Sequence, residues 1–218
     1  MGKTNTETRM EALYQNIQQY IRLDEPLKSA IGESFQKKDY KKGDFLLKEG
    51  QYARRLFFIE QGTLRTYYLH DNKEVTSWFY TEGYFVSSWN SFYTGAPSYE
   101  SIEALSDCTV YWIAADRYQA LIEAHSSFER FARITAEQQL AFLDSFSKGY
   151  NYFTAKQKYE HLIRFIPDIE LRVKLGQIAS FLGISQETLS RIRAGNWLFV
   201  LSNNSGRFGL LIILAIWV

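Results

Sequence analysis

Between residues 39 and 114 the chain is punctuated by Gly43, Gly50, Gly62, Gly83 and Gly95. Short runs rich in Phe, Tyr, Val, Ile and Thr lie between them, at 45–47, 56–59, 63–69, 75–80 and 109–113. Aromatic and β-branched side chains fit a pleated, half-buried surface, and short strands at regular turn spacing close into a sandwich or roll. The pattern therefore predicts roughly seven or eight strands forming a β-sandwich or β-roll. The grammar then changes. From 116 to 148 there is no Gly or Pro, and Ala, Glu, Gln, Leu and Phe dominate, which predicts one or two helices.

Within that helical stretch, Phe128, Phe131, Ala132, Ile134, Leu140, Ala141, Phe142, Leu143 and Phe146 do not stay on one narrow stripe. Such a helix buries more than one face. The expected arrangement has one face on the β-roll and the other on a second subunit, making a homodimer; the alternative is a helix sunk in one large core. Before the β-roll, Leu13, Ile17, Tyr20, Ile21 and Leu23 predict helix over 8–35, with Pro26 breaking the run or opening a second helix. After it, 154–166 reads as a helix ended by Pro167, 170–174 as a short extended piece, and 175–182 and 185–193 as two helices about a turn at Gly183. The fold class is α+β.

With 46% hydrophobic and 17% aromatic residues, the 218-residue chain has ample material for a core. A single cysteine, Cys108, excludes an internal disulfide and a cysteine-ligated iron–sulfur cluster, and fits a reducing cytoplasm. The first 30 residues are polar and read as no signal peptide. Charge is unevenly spread. Residues 1–149 hold 17 Lys+Arg against 20 Asp+Glu, net −3, whereas 150–218 hold 8 against 4, net +4. The basic end is the expected place for nucleic acid.

The segment LGQIASFLGISQETLSRIR, 175–193, carries the functional reading. Ile178, Ala179 and Leu182 form one apolar face, Gly183 suits a sharp turn, and Ile184 plugs the corner. Ser185 is a good N-cap, and Leu189 and Ile192 point inward. That leaves Gln186, Glu187, Thr188, Ser190, Arg191 and Arg193 outward. Arg pairs bidentately with guanine, Glu accepts from cytosine, Gln suits adenine, and Ser and Thr at a helix N-terminus suit phosphates. This is a helix-turn-helix whose second helix reads double-stranded DNA.

From about residue 8 to 193 the chain resembles the family of the cyclic-AMP receptor protein and the fumarate–nitrate regulator (CRP/FNR). The stretch LKEGQYARRLFFIEQGTLRTYY (47–68), with Glu49-Gly50 and Gly62, is similar to the first half of that family's β-roll, and ISQETLSRIR (184–193) to its recognition helix. The resemblance implies a cyclic-nucleotide-binding-like β-roll (a double-stranded β-helix) over 1–115, a dimerisation helix over 116–150 and a helix-turn-helix over 151–194. It implies base reading by Gln186, Glu187 and Arg191, with RNA polymerase as a further partner. Gln186 stands where the best-known members have Arg, so a different DNA sequence is expected.

Two departures concern the sensor. Members that bind cyclic nucleotide carry Gly-Glu-Leu and then Arg-Ser or Arg-Thr; here the segments read Gly83-Tyr84-Phe85 and Pro97-Ser98-Tyr99-Glu100-Ser101. No Lys or Arg lies between Lys73 and Arg117. A buried phosphate needs a positive partner, so cyclic AMP is not expected to bind. Gly83, Tyr84, Phe85, Ser98 and Tyr99, with Trp89, Phe92 and Tyr93, either line an aromatic pocket for another, unidentified effector or fill the space as core.

The C-terminal stretch 195–218, GNWLFVLSNNSGRFGLLIILAIWV, departs from the family. Its last eleven residues are uncharged and too few to span a bilayer, which needs about 20. Residues 197–201 and 210–216 about Asn203-Asn204-Ser205-Gly206 resemble a β-hairpin, in which Asn203, Asn204 or Arg207 would approach a phosphate. A tail buried at the dimer interface and a tail without selected role are the other readings.

No enzyme, cofactor, metal or membrane association is expected. A cupin-like enzyme needs closely spaced His and Glu ligands, whereas His70, His125 and His161 are far apart. The remaining rival is a β-roll protein that regulates by protein contacts through a helix-turn-helix unable to bind DNA.

Overall fold

The computed structural model describes residues 10–200, with side chains through Gly195. Two helices open it, α1 (Glu11–Gln18) and α2 (Glu25–Ser34). Asp24 caps α2 by accepting the Leu27 N–H at 2.9 Å, and Pro26 lies in the first turn, where a missing N–H costs nothing. Pro26 thus opens the second helix.

Eight strands follow: β1 (Gln36–Tyr40), β2 (Phe45–Leu47), β3 (Arg55–Gln61), β4 (Leu64–His70), β5 (Lys73–Tyr80), β6 (Phe85–Val86), β7 (Ser101–Ala104) and β8 (Cys108–Ala114), with helix α3 (Trp89–Thr94) between β6 and β7. They form two antiparallel four-stranded sheets, ordered β1-β8-β3-β6 and β2-β7-β4-β5. The β4–β5 hairpin turns at Asp71 and Asn72, both with positive φ, a conformation these two residue types tolerate best after glycine. Gly62 is required by space as well. A Cβ there would lie 2.5 Å from Cys108 Sγ and 2.7 Å from the Asp107 carbonyl.

The interior of the roll is filled by Leu47, Phe57, Ile59, Leu64, Val86, Ile102, Cys108 and Val110. The alternate residues of β3 and β8, Leu56, Phe58, Tyr111 and Ile113, face outward and are buried by Leu13, Ile17, Leu27, Ile31, Phe128 and Phe131. Both faces of β3 are therefore covered, which explains its unbroken apolar run. Arg65 on β4 is buried, yet it bonds Glu74 on β5 and Glu103 on β7, both at 2.6 Å, and lies over the Tyr67 ring. It ties three neighbouring strands with a compensated charge.

Helix α4 (Ala115–Ala124) and the 27-residue α5 (Ser126–Tyr152) follow, separated by an extended His125. The helical stretch is thus two helices. The start of α5 packs in the N-terminal core through Phe128 and Phe131, and its end places Phe142 and Phe146 against Trp78 of β5, each ring 5.2 Å away. Between them Leu140 and Leu143 stand exposed, at 70% and 50%. Helices α6 (Ala155–Phe165), α7 (Ile169–Arg172), α8 (Leu175–Leu182) and α9 (Gln186–Val200) complete the described chain. Thr154 and Gln157 cap α6 reciprocally.

Two expectations are corrected. The 170–174 segment begins as the single turn of α7, where Arg172 Nε bonds Asp168 at 2.6 Å one turn back, so that only Val173 and Lys174 are extended. Residues 197–200, expected as the first arm of a hairpin, continue α9, because the chain after Arg193 meets no proline and Gly195 alone does not stop a helix. The second arm at 210–216, with Asn203, Asn204 and Arg207, lies outside the described residues.

Candidate nucleic-acid interface

Helices α8 and α9 are joined by a turn that their sequence dictates. Gly183 adopts φ +67 at the C-cap of α8, and the Ile184 N–H reaches back to the Ala179 carbonyl at 3.0 Å, a Schellman-type closure. Ser185 Oγ then accepts the Thr188 N–H at 3.1 Å and lies 3.0 Å from the Thr188 hydroxyl, capping α9. Leu189 is fully buried with Ile178, Ala179, Phe181 and Leu182, while Ile184 and Ile192 are half-buried beside them. This apolar contact fixes the roll of α9 about its own axis. Ser185, Gln186, Glu187, Ser190 and Arg191 are consequently exposed on one side, and Thr188 is half-buried.

Two of the sequence candidates differ from expectation. Arg193 does not stand free: its Nε bonds Glu170 Oε1 at 2.6 Å, and the same oxygen accepts the Tyr159 hydroxyl at 2.7 Å. Burial, and then Glu170, push the Tyr159 phenol above its usual range. Arg193 therefore clamps α9 to α6 and α7. Gln186 lies against Gly176 at the start of α8, where a Cβ would come within 2.6 Å of its Nε2. Gly176 thus lets the Gln186 side chain cross the beginning of α8. Arg191 is exposed and forms no ion pair among the described residues; Glu187 lies one turn earlier on the same helix.

The support beneath these helices was not foreseen. Strand β5 is a sheet edge, and α8 covers it: Ser180 Oγ accepts the Thr76 N–H at 3.0 Å and donates to the Glu74 carbonyl at 2.9 Å. Phe181 packs on Trp78 and Phe79, with centroids 5.3 and 5.7 Å away, and Tyr150 donates to the Phe181 carbonyl at 2.6 Å. Arg172 spans the same seam, bonding Glu82 at 2.9 Å and Thr63 at 3.3 Å. Desolvation raises the Glu82 carboxyl, but Arg172 and the Gly62 N–H outweigh it and hold it below its usual value. A crevice of about 370 Å³ runs along the seam, between Lys42 and Glu103 on one side and Leu171, Lys174 and Gln177 on the other. The consecutive aromatics Trp78-Phe79-Tyr80 were the available signal, since a strand that buries both faces needs a neighbour on each.

In the β-roll, the sensor candidates separate. Gly83 has φ +85, and its carbonyl accepts Asn16 Nδ2 at 2.9 Å. Phe85 packs tilted against Phe58 and edge-on against Phe131 in the N-terminal core. Tyr84 turns the other way, half-buried against Tyr80 at 6.2 Å. Ser98 is buried and bonded to Ser88 at 2.9 Å, whereas Tyr99 is exposed. Trp89, Phe92 and Tyr93 pack on one another, and Phe92 continues to Tyr118. The rings that the sequence could place either in one pocket or in the core are divided among two cores and the surface.

Among known protein families, the model of the cyclic nucleotide-binding domain matches residues 37–125. No curated protein sequence matches the chain. Among solved structures, FixK2 from Bradyrhizobium japonicum is similar with a TM-score of 0.64 at 18% identity, over 74% of this chain and 84% of that one. The CooA mutant from Carboxydothermus hydrogenoformans gives 0.60 at 19% identity, over 80% and 79%. The c-di-GMP-responsive global regulator CLP of Xanthomonas campestris gives 0.59 at 14% identity, over 79% and 91%. These likenesses extend past the cyclic nucleotide-binding domain, so the chain has the fold of the CRP/FNR regulators from the β-roll into the C-terminal helices. No described helix is long and apolar enough to cross a membrane, and the described residues hold no group of three or more His, Cys, Asp or Glu arranged to take a metal.

Proposed function

We propose that this protein is a sequence-specific DNA-binding transcription regulator that acts as a homodimer and does not depend on cyclic AMP. The observation that carries the reading is α9: a helix whose buried Leu189 fixes its orientation while Ser185, Gln186, Glu187, Ser190 and Arg191 lie on the open side. An N-terminal helical row of this chemistry suits the major groove, with Arg191 and Glu187 on base edges and Ser185, with the helix N-terminus, on phosphate. Arg193 is assigned to positioning, through Glu170, rather than to reading.

Dimerisation is supported by α5. Ala136, Leu140, Leu143 and Ser147 recur at helical spacing and are all exposed, with two leucines at the centre of the stripe. Pairing two such helices hides the leucines and sets two recognition helices about one DNA turn apart, roughly 34 Å, on a near-palindromic site. Changing Leu140 and Leu143 to Lys is expected to yield a monomer in sedimentation with little loss of thermal stability; a persisting dimer contradicts this use of α5.

Independence from cyclic AMP is supported by charge. Between Lys73 and Arg117 the cyclic nucleotide-binding domain has no base, and the guanidinium of Arg65 is occupied by Glu74 and Glu103. Calorimetry with cyclic AMP is expected to show no saturable binding, and a tight complex overturns the claim. DNA reading is tested by selection from a random duplex pool at fixed, near-physiological salt, since phosphate contacts make binding strongly salt-dependent. The expected product is a palindromic motif. Absence of enrichment, both with and without residues 195–218, favours regulation by protein contacts instead.

A further inference from the structure

The crevice of about 370 Å³ at the seam is used neither by DNA reading nor by dimerisation. Its volume suits a small molecule. One wall belongs to the β-roll, through Lys42, Gly43, Glu103 and Leu105, and the other is the run from Leu171 to Gln177. Backbone bonds hold both walls. The Gly43 N–H donates to the Ala104 carbonyl at 2.7 Å, and the Leu105 N–H to the Thr63 carbonyl at 2.8 Å. On the helical side the Gln177 N–H donates to the Lys174 carbonyl at 2.9 Å, and Gln177 Oε1 accepts the Lys174 N–H at 3.1 Å. Gly43 has φ +90, and a Cβ there would meet no atom within 4 Å, so the space beside it is open. The crevice is therefore formed before any ligand arrives.

Four charged side chains line it, and two are committed. Glu103 bonds Arg65 at 2.6 Å, and Arg172 bonds Asp168 at 2.6 Å and Glu82 at 2.9 Å. The other two, Lys42 and Lys174, are exposed and form no ion pair among the described residues. The acid nearest Lys42 in the fold is also taken: Asp107 bonds the Lys41 ammonium at 2.7 Å and meets Lys42 only through its backbone N–H, at 3.1 Å. The remaining lining is largely apolar, with Ala104, Leu105 and Val173 inside and Leu171 90% exposed. A leucine left in water at a crevice gains by being covered. Two ammonium groups on opposite walls are relieved by a ligand that brings one negative group to each.

We infer that this crevice binds a small organic dianion whose two charges stand at opposite ends of a short carbon chain, as in a dicarboxylate. Lys42 and Lys174 each meet one carboxylate, and Leu105, Leu171 and Val173 contact the carbons between. Such a ligand bridges the β-roll and the segment leading into α8. Binding is independent of DNA reading; its use as a signal through α8 to α9 rests on that proposed function.

The test is calorimetry on the full chain with sodium succinate and sodium glutarate, against sodium chloride, sodium acetate and inorganic phosphate at equal ionic strength. Saturable binding of at least one dicarboxylate is expected, with a Kd below about 1 mM and a raised thermal midpoint. Acetate, with one charge, and phosphate, with its charge on one centre, are expected to match sodium chloride. Lys42→Gln and Lys174→Gln change exposed side chains, so both variants are expected to fold and each to weaken binding at least about tenfold. Dicarboxylate heats that match sodium chloride, phosphate or acetate binding as tight as the dicarboxylates', or unchanged affinity in either folded variant overturn the inference. Dicarboxylate binding together with a failed DNA selection leaves this site standing and removes its role as a signal to α9.

Discussion

On α9 the polar side chains lie outside an apolar scaffold, whereas beside α3 they lie inside an aromatic one. Ser185, Gln186, Glu187, Ser190 and Arg191 face solvent, and the fold depends on Leu189, Ile178 and Leu182 beneath them. In the β-roll, Ser88, Ser98 and Glu100 are buried, and Ser98 Oγ bonds Ser88 Oγ at 2.9 Å and the Glu100 carbonyl at 2.7 Å. Exposed polar groups can exchange water for a partner at little cost to stability, while buried ones must be satisfied in place. The first region is therefore suited to meeting a partner, and the second to holding the roll together.

The comparison is broken most sharply at the scaffold. Leu189→Ala is expected to destabilise the protein by about 2–5 kcal/mol and to abolish specific DNA binding, because α9 loses the contact that sets its face. A thermal midpoint equal to the parent's would mean that α9 is not anchored there. Arg65→Ala comes next, at roughly 3 kcal/mol, since it strands Glu103 in the sheet without its cation; chemical denaturation measures this, and a neutral result would show that the acids relax into water.

The seam between the two regions gives a smaller effect. Arg172→Ala is expected to cost about 1 kcal/mol, read from the same denaturation curves. Glu82 adds a pH dependence. Its folded value lies below the ordinary 4.5, so its contribution is fully present above that value and disappears as pH falls through the lower folded one. Glu82→Gln is expected to flatten this acid limb of the stability profile, and an unchanged limb would assign it to other carboxylates.

Local chemistry was legible and distant pairing was not. Gly183, Ser185 and Leu189 announce their turn, cap and core contact because each acts within a few residues. The glycine rhythm of 43–95 likewise announces the strands. By contrast, Ser180 meets Thr76 and Arg172 meets Glu82 across about a hundred residues, and no periodicity encodes such a contact. Arg193 looks outward on a helical wheel, but Glu170 on the preceding helix turns it inward. The aromatics of 84–99 left a pocket and a filled core both open, because composition cannot say which ring joins which core; the structure packs Phe85 and Phe92 against the N-terminal core and leaves Tyr93 and Tyr99 exposed. Residues 197–200 resembled a strand by their apolar content, whereas helix α9, already nucleated and capped at Ser185, propagates through them.

The most direct test of the account is the affinity of the parent and Arg191→Ala for the selected duplex and for a scrambled one, by fluorescence anisotropy at one fixed salt concentration. Arg191 is exposed, so its removal should leave the unfolding free energy within about 0.5 kcal/mol of the parent's. Specific affinity should fall by about 1–3 kcal/mol, roughly tenfold to a hundredfold, with scrambled DNA bound nearly as before. Equal affinities of parent and variant for the selected duplex would contradict the claim that the exposed row of α9 reads DNA.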